Sequence, residues 1–459
     1  MSDAGLRAAQ DKMRTAGVAP AAIEVFSHYY RLLESGQSGL IPEDSIEPLT
    51  SLPMLADVNI SDEDARAALA QTVVIKLNGG LGTSMGLDKA KSLLEVRDGL
   101  TFLDIIARQV LAARAKYQVR LPLLLMDSFR TQADTLEYLA RYPQLAVDDL
   151  PLDFLQNQEP KLRADDLSPV DWPADPDLEW CPPGHGDLYP ALQASGLLDR
   201  LIDAGFRYAC SSNGDNLGAA PDARIAGWFA ASGAPYAAEV CHRTVNDRKG
   251  GHLAIRKADG QLILRDTAQT APEEMDFFTD EHRHPYFHTN NLWFDLVRLR
   301  DTLRERNSVL GLPMIRNHKT VDPADPASTP VVQIESAMGA AVEVFAGATA
   351  ICVGRDRFLP VKTTNELLLL RSDIYALNQD ALLVSTREGQ PEIDLDKRYY
   401  QLVADFDQRV ANVPSLRRAD RLSVAGDWTF GEGVQVVGDV AINDQGAAAT
   451  VPAGTVLGQ

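Results

Sequence analysis

The residues able to do chemistry gather in four short stretches. The first, Leu77-Asn78-Gly79-Gly80-Leu81-Gly82-Thr83-Ser84-Met85-Gly86, sets four glycines within eight positions and is followed by Lys89-Ala90-Lys91-Ser92. Glycine permits backbone conformations and close approaches closed to other residues, so such a loop can wrap N–H groups around a phosphate or a nucleobase edge. Lysines just beyond it could place a cation on a triphosphate. The loop is neither G-x-G-x-x-G nor G-x-x-x-x-G-K-[ST], which removes the main support for a dinucleotide dehydrogenase or a P-loop kinase. In the second stretch, Trp180-Cys181-Pro182-Pro183-Gly184-His185-Gly186-Asp187, two prolines stiffen the approach and His185 is framed by glycines where a ligand could meet it. The third, Ser212-Asn213-Gly214-Asp215-Asn216-Leu217-Gly218, closes a strand candidate. Ligands of open α/β sheets collect at the carboxyl ends of strands, and a lone carboxylate there can hold Mg²⁺ that also binds phosphate oxygens. Asn213 offers both donor and acceptor to hydroxyls. The fourth stretch, Arg355 to Thr364, surrounds a proline-stiffened apolar strand with three cations, and read with the first loop it supplies a second cation for a polyphosphate.

Other chemistries find less support. His282, His284 and His288 lack the carboxylate or cysteine spacing of a zinc site and read as packing or solvated residues. There is no G-x-S-x-G elbow, and Cys181, Cys210, Cys241 and Cys352 form no C-x-x-C pair. Across 459 residues, 64 acidic side chains against 44 Lys plus Arg leave a net charge of −20. That balance disfavours duplex DNA and anionic membranes as partners, because both are bound through a basic face. A small anionic substrate remains compatible, since a few cations in a cleft set the local field. The start, MSDAGLRAAQDKMRTAG, has no signal-peptide core, and no apolar stretch reaches about 18 residues. The expectation is a soluble, reduced, cytoplasmic protein.

The elements that must position these stretches fall into three parts. Residues 1–70 form an N-terminal helical segment and connector: Ala21, Ile23, Val25, Phe26, Tyr29, Leu32 and Leu33 recur at helical spacing, Ser35-Gly36 stops the helix, and Pro42 and Pro48 mark an extended link. Residues 71–375 read as one large α/β domain. Thr72–Leu77 and 121–126 are short apolar runs of buried-strand type, with a helical stretch over 101–117 between them, and strand, helix, strand in that order argues for a parallel sheet with crossovers. Further strands are expected at 206–211, 236–240, 262–264, 288–294 and 331–334, and residues 164–180, rich in proline and carboxylates, read as a surface loop. In residues 376–459 pairs of β-branched residues separated by tight turns suggest a coil of a parallel β-helix, with a small antiparallel cap as the alternative.

With these motifs on one chain, the sequence closely resembles the eukaryotic-type UTP–glucose-1-phosphate uridylyltransferases, also called UDP-glucose pyrophosphorylases. The resemblance runs from Pro42-Glu43-Asp44-Ser45-Ile46 to the tail, and takes in 239–251 (EVCHRTVNDRKGG), 288–293 (HTNNLW), 334–341 (IESAMGAA) and 357–364 (RFLPVKTT). Related UDP-N-acetylhexosamine pyrophosphorylases carry an Ala and a Gln-Gly-Thr-Arg version of the loop, so Asn78 and Ser84 favour the glucose branch.

The resemblance implies a GT-A-like, Rossmann-like nucleotidyltransferase core followed by a left-handed parallel β-helix. Carried over by position, the backbone of Leu77, Asn78, Gly79 and Gly80 would embrace the uridine, with Gln156 and Gly184 reading the uracil edge. Lys91 would hold the UTP phosphates, Asp215 the Mg²⁺, His185 the phosphate of glucose 1-phosphate, and Asn213 with Gly214 the sugar side. Lys362 would bridge phosphates of both substrates. The chain departs from the family pattern at Leu87-Asp88-Lys89-Ala90, where Cys-Lys-Gly-Pro is usual, at Gly214, and at His288. The implied reaction joins UTP and glucose 1-phosphate into UDP-glucose and pyrophosphate. Transfer to another sugar 1-phosphate, such as galactose or N-acetylglucosamine, and a non-catalytic UDP-sugar sensor stay open beside it, as do a monomer and a small homo-oligomer.

Overall fold

The computed structural model describes residues 2–36, 39–244, 247 and 250–458. Among these the central sheet has ten strands. Its spine runs, in spatial order, Ile46–Pro48, Gly251–Arg256, Tyr286–Asp295, Tyr208–Asn213, Thr72–Leu77, Leu123–Asp127 and Asp153–Leu155. Leu262–Asp266 pairs with Gly251–Arg256, while Tyr236–His242 pairs with Tyr286–Asp295 on one side and Thr349–Val353 on the other.

Why the middle strands are so apolar follows from their burial on both faces. Side chains alternate across a sheet, so Val74, Leu123 and Leu125 enter one hydrophobic cluster while Val73, Ile75, Leu124 and Met126 enter another. The first cluster is closed by the helices Phe102–Tyr117 and Ala223–Ser232. The second is closed by Pro20–Glu34, Leu188–Ala194, Leu197–Asp203 and Leu296–Glu305. Helix Phe102–Tyr117 starts on a capping box, in which Thr101 Oγ1 accepts from the Asp104 N–H and Asp104 accepts from the Thr101 N–H.

Two expectations are corrected. The core sheet is mixed: Asp153–Leu155, Leu123–Asp127, Thr72–Leu77 and Tyr208–Asn213 run parallel, but Tyr286–Asp295 is antiparallel to both Tyr208–Asn213 and Tyr236–His242. The tail does not form a left-handed β-helix. It consists of a parallel sheet of Glu392–Leu395, Ser415–Val424, Gln435–Ile442 and Val456–Leu457, with a separate parallel pair, Trp428–Phe430 and Ala449–Val451. A regular coil needs like residues stacked at every turn; here Arg418 lies against Val437 and Arg421 against Asp439, and the register slips on both sides of Ala419. The 164–180 segment is a surface loop as expected, held at two points, where Val170 packs with Val321 and Val331 and where Glu179 accepts from Lys12. Among the described residues no helix is long and apolar enough to cross a membrane.

Candidate active site

The four parallel strands of the spine share a carboxyl edge, and their registers bring the motifs together. Leu77 pairs with Asn213 on one side and Met126 on the other, while Asp127 pairs with Leu155. The residues immediately past those ends therefore converge: Asn78 to Gly80, Gly214 with Asp215, and Gln156. Together with Lys91, Gly184, His185 and Asn213 they line a cleft of about 290 Å³.

The glycine loop is shaped by close approaches. A Cβ on Gly79 would stand 2.9 Å from Gln156 Oε1, and one on Gly214 would stand 2.6 Å from the Leu77 carbonyl oxygen, which the Gly214 N–H already uses at 2.9 Å. Gly82 and Gly86, at φ +66° and +76°, bracket the short turn Thr83–Met85 in a region that side chains resist. The chain then doubles back, the Lys91 N–H bonding the Gly80 carbonyl at 3.0 Å. Lys91 Nζ reaches Asp215 Oδ2 at 2.6 Å and also donates to the Val361 carbonyl. Both side chains keep about a fifth of their surface exposed, so the pair is accessible to a ligand. Asn78 turns its Nδ2 away from the cleft, to Asp127 Oδ1 at 2.6 Å and Thr135 Oγ1 at 2.9 Å. Burial pushes the Asp127 carboxyl up to about 7, with Oδ2 left without a partner.

The opposite wall hangs on Gly184, whose φ of +80° and tight seat against Ser336 leave no room for a Cβ. His185 Nδ1 accepts from the Met338 N–H at 2.9 Å. That bond fixes the neutral tautomer with its proton on Nε2, and burial holds the ring pKa below its usual value. Asp187 accepts from the Asn157 N–H at 2.5 Å and Nδ2 at 2.8 Å, bracing the segment that carries Gln156; burial raises this carboxyl to about 7 as well.

Lys362 is the expected site residue that the structure does not bring into this cleft. It is exposed and lines a neighbouring pocket of about 540 Å³ with Arg355, Asp247 and Phe287. Its backbone is nevertheless tied to the site, because the Val361 N–H bonds the Asp215 carbonyl at 3.3 Å. Within 239–251, Val245, Asn246, Arg248 and Lys249 lie outside the described residues. His288 is buried with Nε2 unpartnered, and His284 stacks on His252 at 3.8 Å.

Sequence reasoning missed the layer beneath the cleft. Glu239 receives a two-pronged contact from Arg357 at 2.7 and 2.8 Å, and also Asn291 Nδ2 and Trp293 Nε1. Lys76 sits fully buried beside it. A lysine inside the run Val73-Val74-Ile75-Lys76-Leu77 was a readable signal, since an ammonium in a buried strand must have a purpose.

A mixed sheet whose parallel strands end at a glycine-lined cleft holding one Lys–Asp pair defines a nucleotide-binding α/β protein. Residues 23–437 match the family model described as UTP–glucose-1-phosphate uridylyltransferase, and the chain belongs to that family. It is 37% identical over 424 residues to the UTP–glucose-1-phosphate uridylyltransferase of Solanum tuberosum, covering 91% of this chain and 84% of that one. The enzyme of that name from Saccharomyces cerevisiae is 39% identical, over 85% of this chain and 77% of that one. Among solved structures, a mutant UDP-glucose pyrophosphorylase from Leishmania major in complex with UDP-glucose superposes with a TM-score of 0.93 at 43% identity, covering 99% and 98% of the two chains. A Trypanosoma brucei relative gives 0.92 at the same identity and coverage. This likeness sets the fold as mixed α/β around a central mixed sheet, in place of the expected GT-A-like core with a left-handed β-helix.

Proposed function

We propose that this chain transfers the uridylyl group of UTP to glucose 1-phosphate, releasing pyrophosphate and forming UDP-glucose. The observation that carries the reading is the cleft itself, where exposed glycine backbone, Gln156, Gly184 and His185 face the Lys91–Asp215 pair. Family membership and the UDP-glucose complex of the Leishmania relative support it. Residues 71–375 carry the catalysis in this reading, with 1–70 and 376–459 flanking them. The four cysteines are unpaired, which suits a reducing cytoplasm.

The reaction is an in-line displacement. A phosphate oxygen of glucose 1-phosphate forms a bond to the α-phosphorus of UTP while the bond from that phosphorus to the bridging oxygen breaks, and pyrophosphate leaves with the electron pair. The nucleophile is already anionic near neutral pH, since a phosphate monoester's second pKa is about 6, so no general base is needed. What the protein must do is position two anions and offset their repulsion. The backbone of Leu77 to Gly80 with Gln156 and Gly184 would seat the uridine; Asn213 and Gly214 would face the sugar; His185 would donate to the sugar phosphate. Lys91 would turn from Asp215 to the UTP phosphates, and Lys362 would join them from the rim.

The donor set fits Mg²⁺ of one kind only. Among the described residues no three His, Cys, Asp or Glu side chains cluster as for a resident ion. One carboxylate, Asp215, suits an ion that keeps several waters and arrives with substrate phosphates. When bound there, Mg²⁺ would neutralise phosphate charge.

The test is pyrophosphate release with Mg²⁺ and UTP against a panel of sugar 1-phosphates, with ATP, dTTP and GTP as controls. Turnover with UTP and glucose 1-phosphate is expected. Preference for galactose 1-phosphate or N-acetylglucosamine 1-phosphate would overturn the sugar assignment, and binding without turnover would leave only a sensor.

A further inference from the structure

Lys76 is 1% exposed, in the strand Thr72–Leu77 at the centre of the sheet. Its Nζ donates to Ser212 Oγ at 2.7 Å and to the Ala219 carbonyl oxygen at 2.7 Å. Those two acceptors stand at the beginning and end of the loop that carries Asn213, Gly214 and Asp215. The titratable groups near the ammonium are the neutral thiol of Cys210 and the charged Arg357, Glu239 and Asp215; desolvation, the largest influence, lowers the Lys76 pKa to about 8, which leaves it cationic at neutral pH. An apolar residue would fill this place at less cost, because burying an ammonium without a carboxylate in contact is unfavourable.

The loop has a second anchor that ties its middle. Asn216 Nδ2 donates to Asn291 Oδ1 at 3.0 Å and to the Arg357 carbonyl at 3.1 Å, and its Oδ1 accepts from the Leu359 N–H at 2.8 Å. Asn216 thus fixes the loop against the Arg357 segment, while Lys76 closes its two ends. Between these ties Asn213 and Asp215 are left on the cleft side.

We propose that Lys76 is a positioning residue of the transfer reaction: its buried ammonium clamps the ends of the Ser212–Ala219 loop and so sets where Asn213 and Asp215 meet the sugar phosphate and the nucleotide. The inference rests on the uridylyl-transfer reading of the cleft and adds to it a residue that touches neither substrate.

The experiment compares wild type with Lys76→Met, Ser212→Ala and the double variant. Initial rates are measured against UTP, glucose 1-phosphate and Mg²⁺, and UDP-glucose binding is measured by calorimetry without added metal. Lys76→Met is expected to lower kcat about 10- to 100-fold, to raise the half-saturating Mg²⁺ concentration, and to weaken UDP-glucose binding about tenfold, with thermal unfolding little changed. If Lys76 acts through the loop, Ser212→Ala costs much less on the Lys76→Met background than alone. Kinetics and binding within twofold of wild type, or effects that simply multiply, overturn the inference. Should Lys76→Met not fold, Ser212→Ala alone must still weaken UDP-glucose binding and raise the Mg²⁺ requirement, and failure to do so overturns it as well. A wild type that binds UDP-glucose but makes none removes the activity reading instead, and the calorimetric comparison still decides the role of Lys76.

Discussion

Two lysines, Lys91 and Lys362, stand on adjoining walls, and the structure treats them differently. Lys91 is bound into the cleft, its Nζ held by Asp215 and by the Val361 carbonyl. Lys362 is solvated, facing Arg355 and Asp247 across the neighbouring pocket. Yet the walls share a seam, since the Val361 N–H bonds the Asp215 carbonyl and Asn216 bridges to Pro360. A lysine already paired with the carboxylate that lines its cleft is pre-placed and needs only to exchange one anion for another. A lysine on the rim has to be brought over, and pays for its freedom with side-chain entropy. The difference teaches that two cations of the same expected role can be prepared to different extents.

The sharpest way to break this comparison is on the pre-placed side. Asp215→Ala should lower kcat about 10³-fold, by removing both the carboxylate proposed to hold Mg²⁺ and the partner that holds Lys91, and Lys91→Ala should cost about 10²- to 10³-fold, the scale of losing one preorganised transition-state donor. Steady-state rates with saturating UTP check both. Near wild-type turnover in Lys91→Ala would end its assignment. Lys362→Ala should cost less, about 10²-fold, with the loss divided between kcat and the KM for each substrate. A larger loss than for Lys91→Ala would invert the comparison and mean that the rim lysine carries the transition state.

His185→Ala sharpens the contrast between charge and placement. The ring is neutral, and in the proposed complex it would donate one hydrogen bond to the sugar phosphate, so its removal should raise the KM for glucose 1-phosphate about tenfold, the worth of one such bond, and leave the KM for UTP within about twofold. Equal rises in both KM values would show that His185 holds the Gly184 wall as a whole, through Met338, and not the sugar phosphate in particular.

Which parts of this arrangement were legible follows from physical range. The strand Thr72–Leu77 was readable residue for residue because its β-branched run is local chemistry, and the glycines after it announce a loop that needs bare backbone. That Asn213 would meet this loop was expected from ligands collecting at strand ends, but the strand Asp153–Leu155, which brings Gln156 to the same edge, was not read from the sequence. Strand direction was not legible: Tyr286–Asp295 is as apolar as its neighbours, and nothing in its pattern says that it runs the other way. Nor was the fate of single side chains. Lys362 faces a second pocket, and the tail's short strands pair in parallel without the repeat a coil requires. Those outcomes depend on which segments meet in space, as Val361 meets Asp215 and Ser415 meets Gln435, and periodicity does not carry that.

The smallest expected effect concerns the foundation of the glycine loop. Asp127 supports Asn78 through Oδ1 while Oδ2 has no partner, and burial raises its pKa to about 7 from an unfolded value of about 3.9. A carboxyl raised in the fold gives stability that is fully present below about pH 4 and is lost as pH rises through about 7. Asp127→Asn keeps an acceptor for Asn78 and cannot ionise, so that part of the pH dependence disappears. The melting temperature of the variant relative to wild type should therefore climb between pH 5 and pH 8, by roughly 2–4 °C. Asp187 and Glu343 are also raised to about 7 by burial, so the variant keeps part of the slope. Parallel melting curves for the two proteins across that range would mean that Asp127 is ionised throughout, and that Asn78 is held by a full charge rather than by a neutral acid.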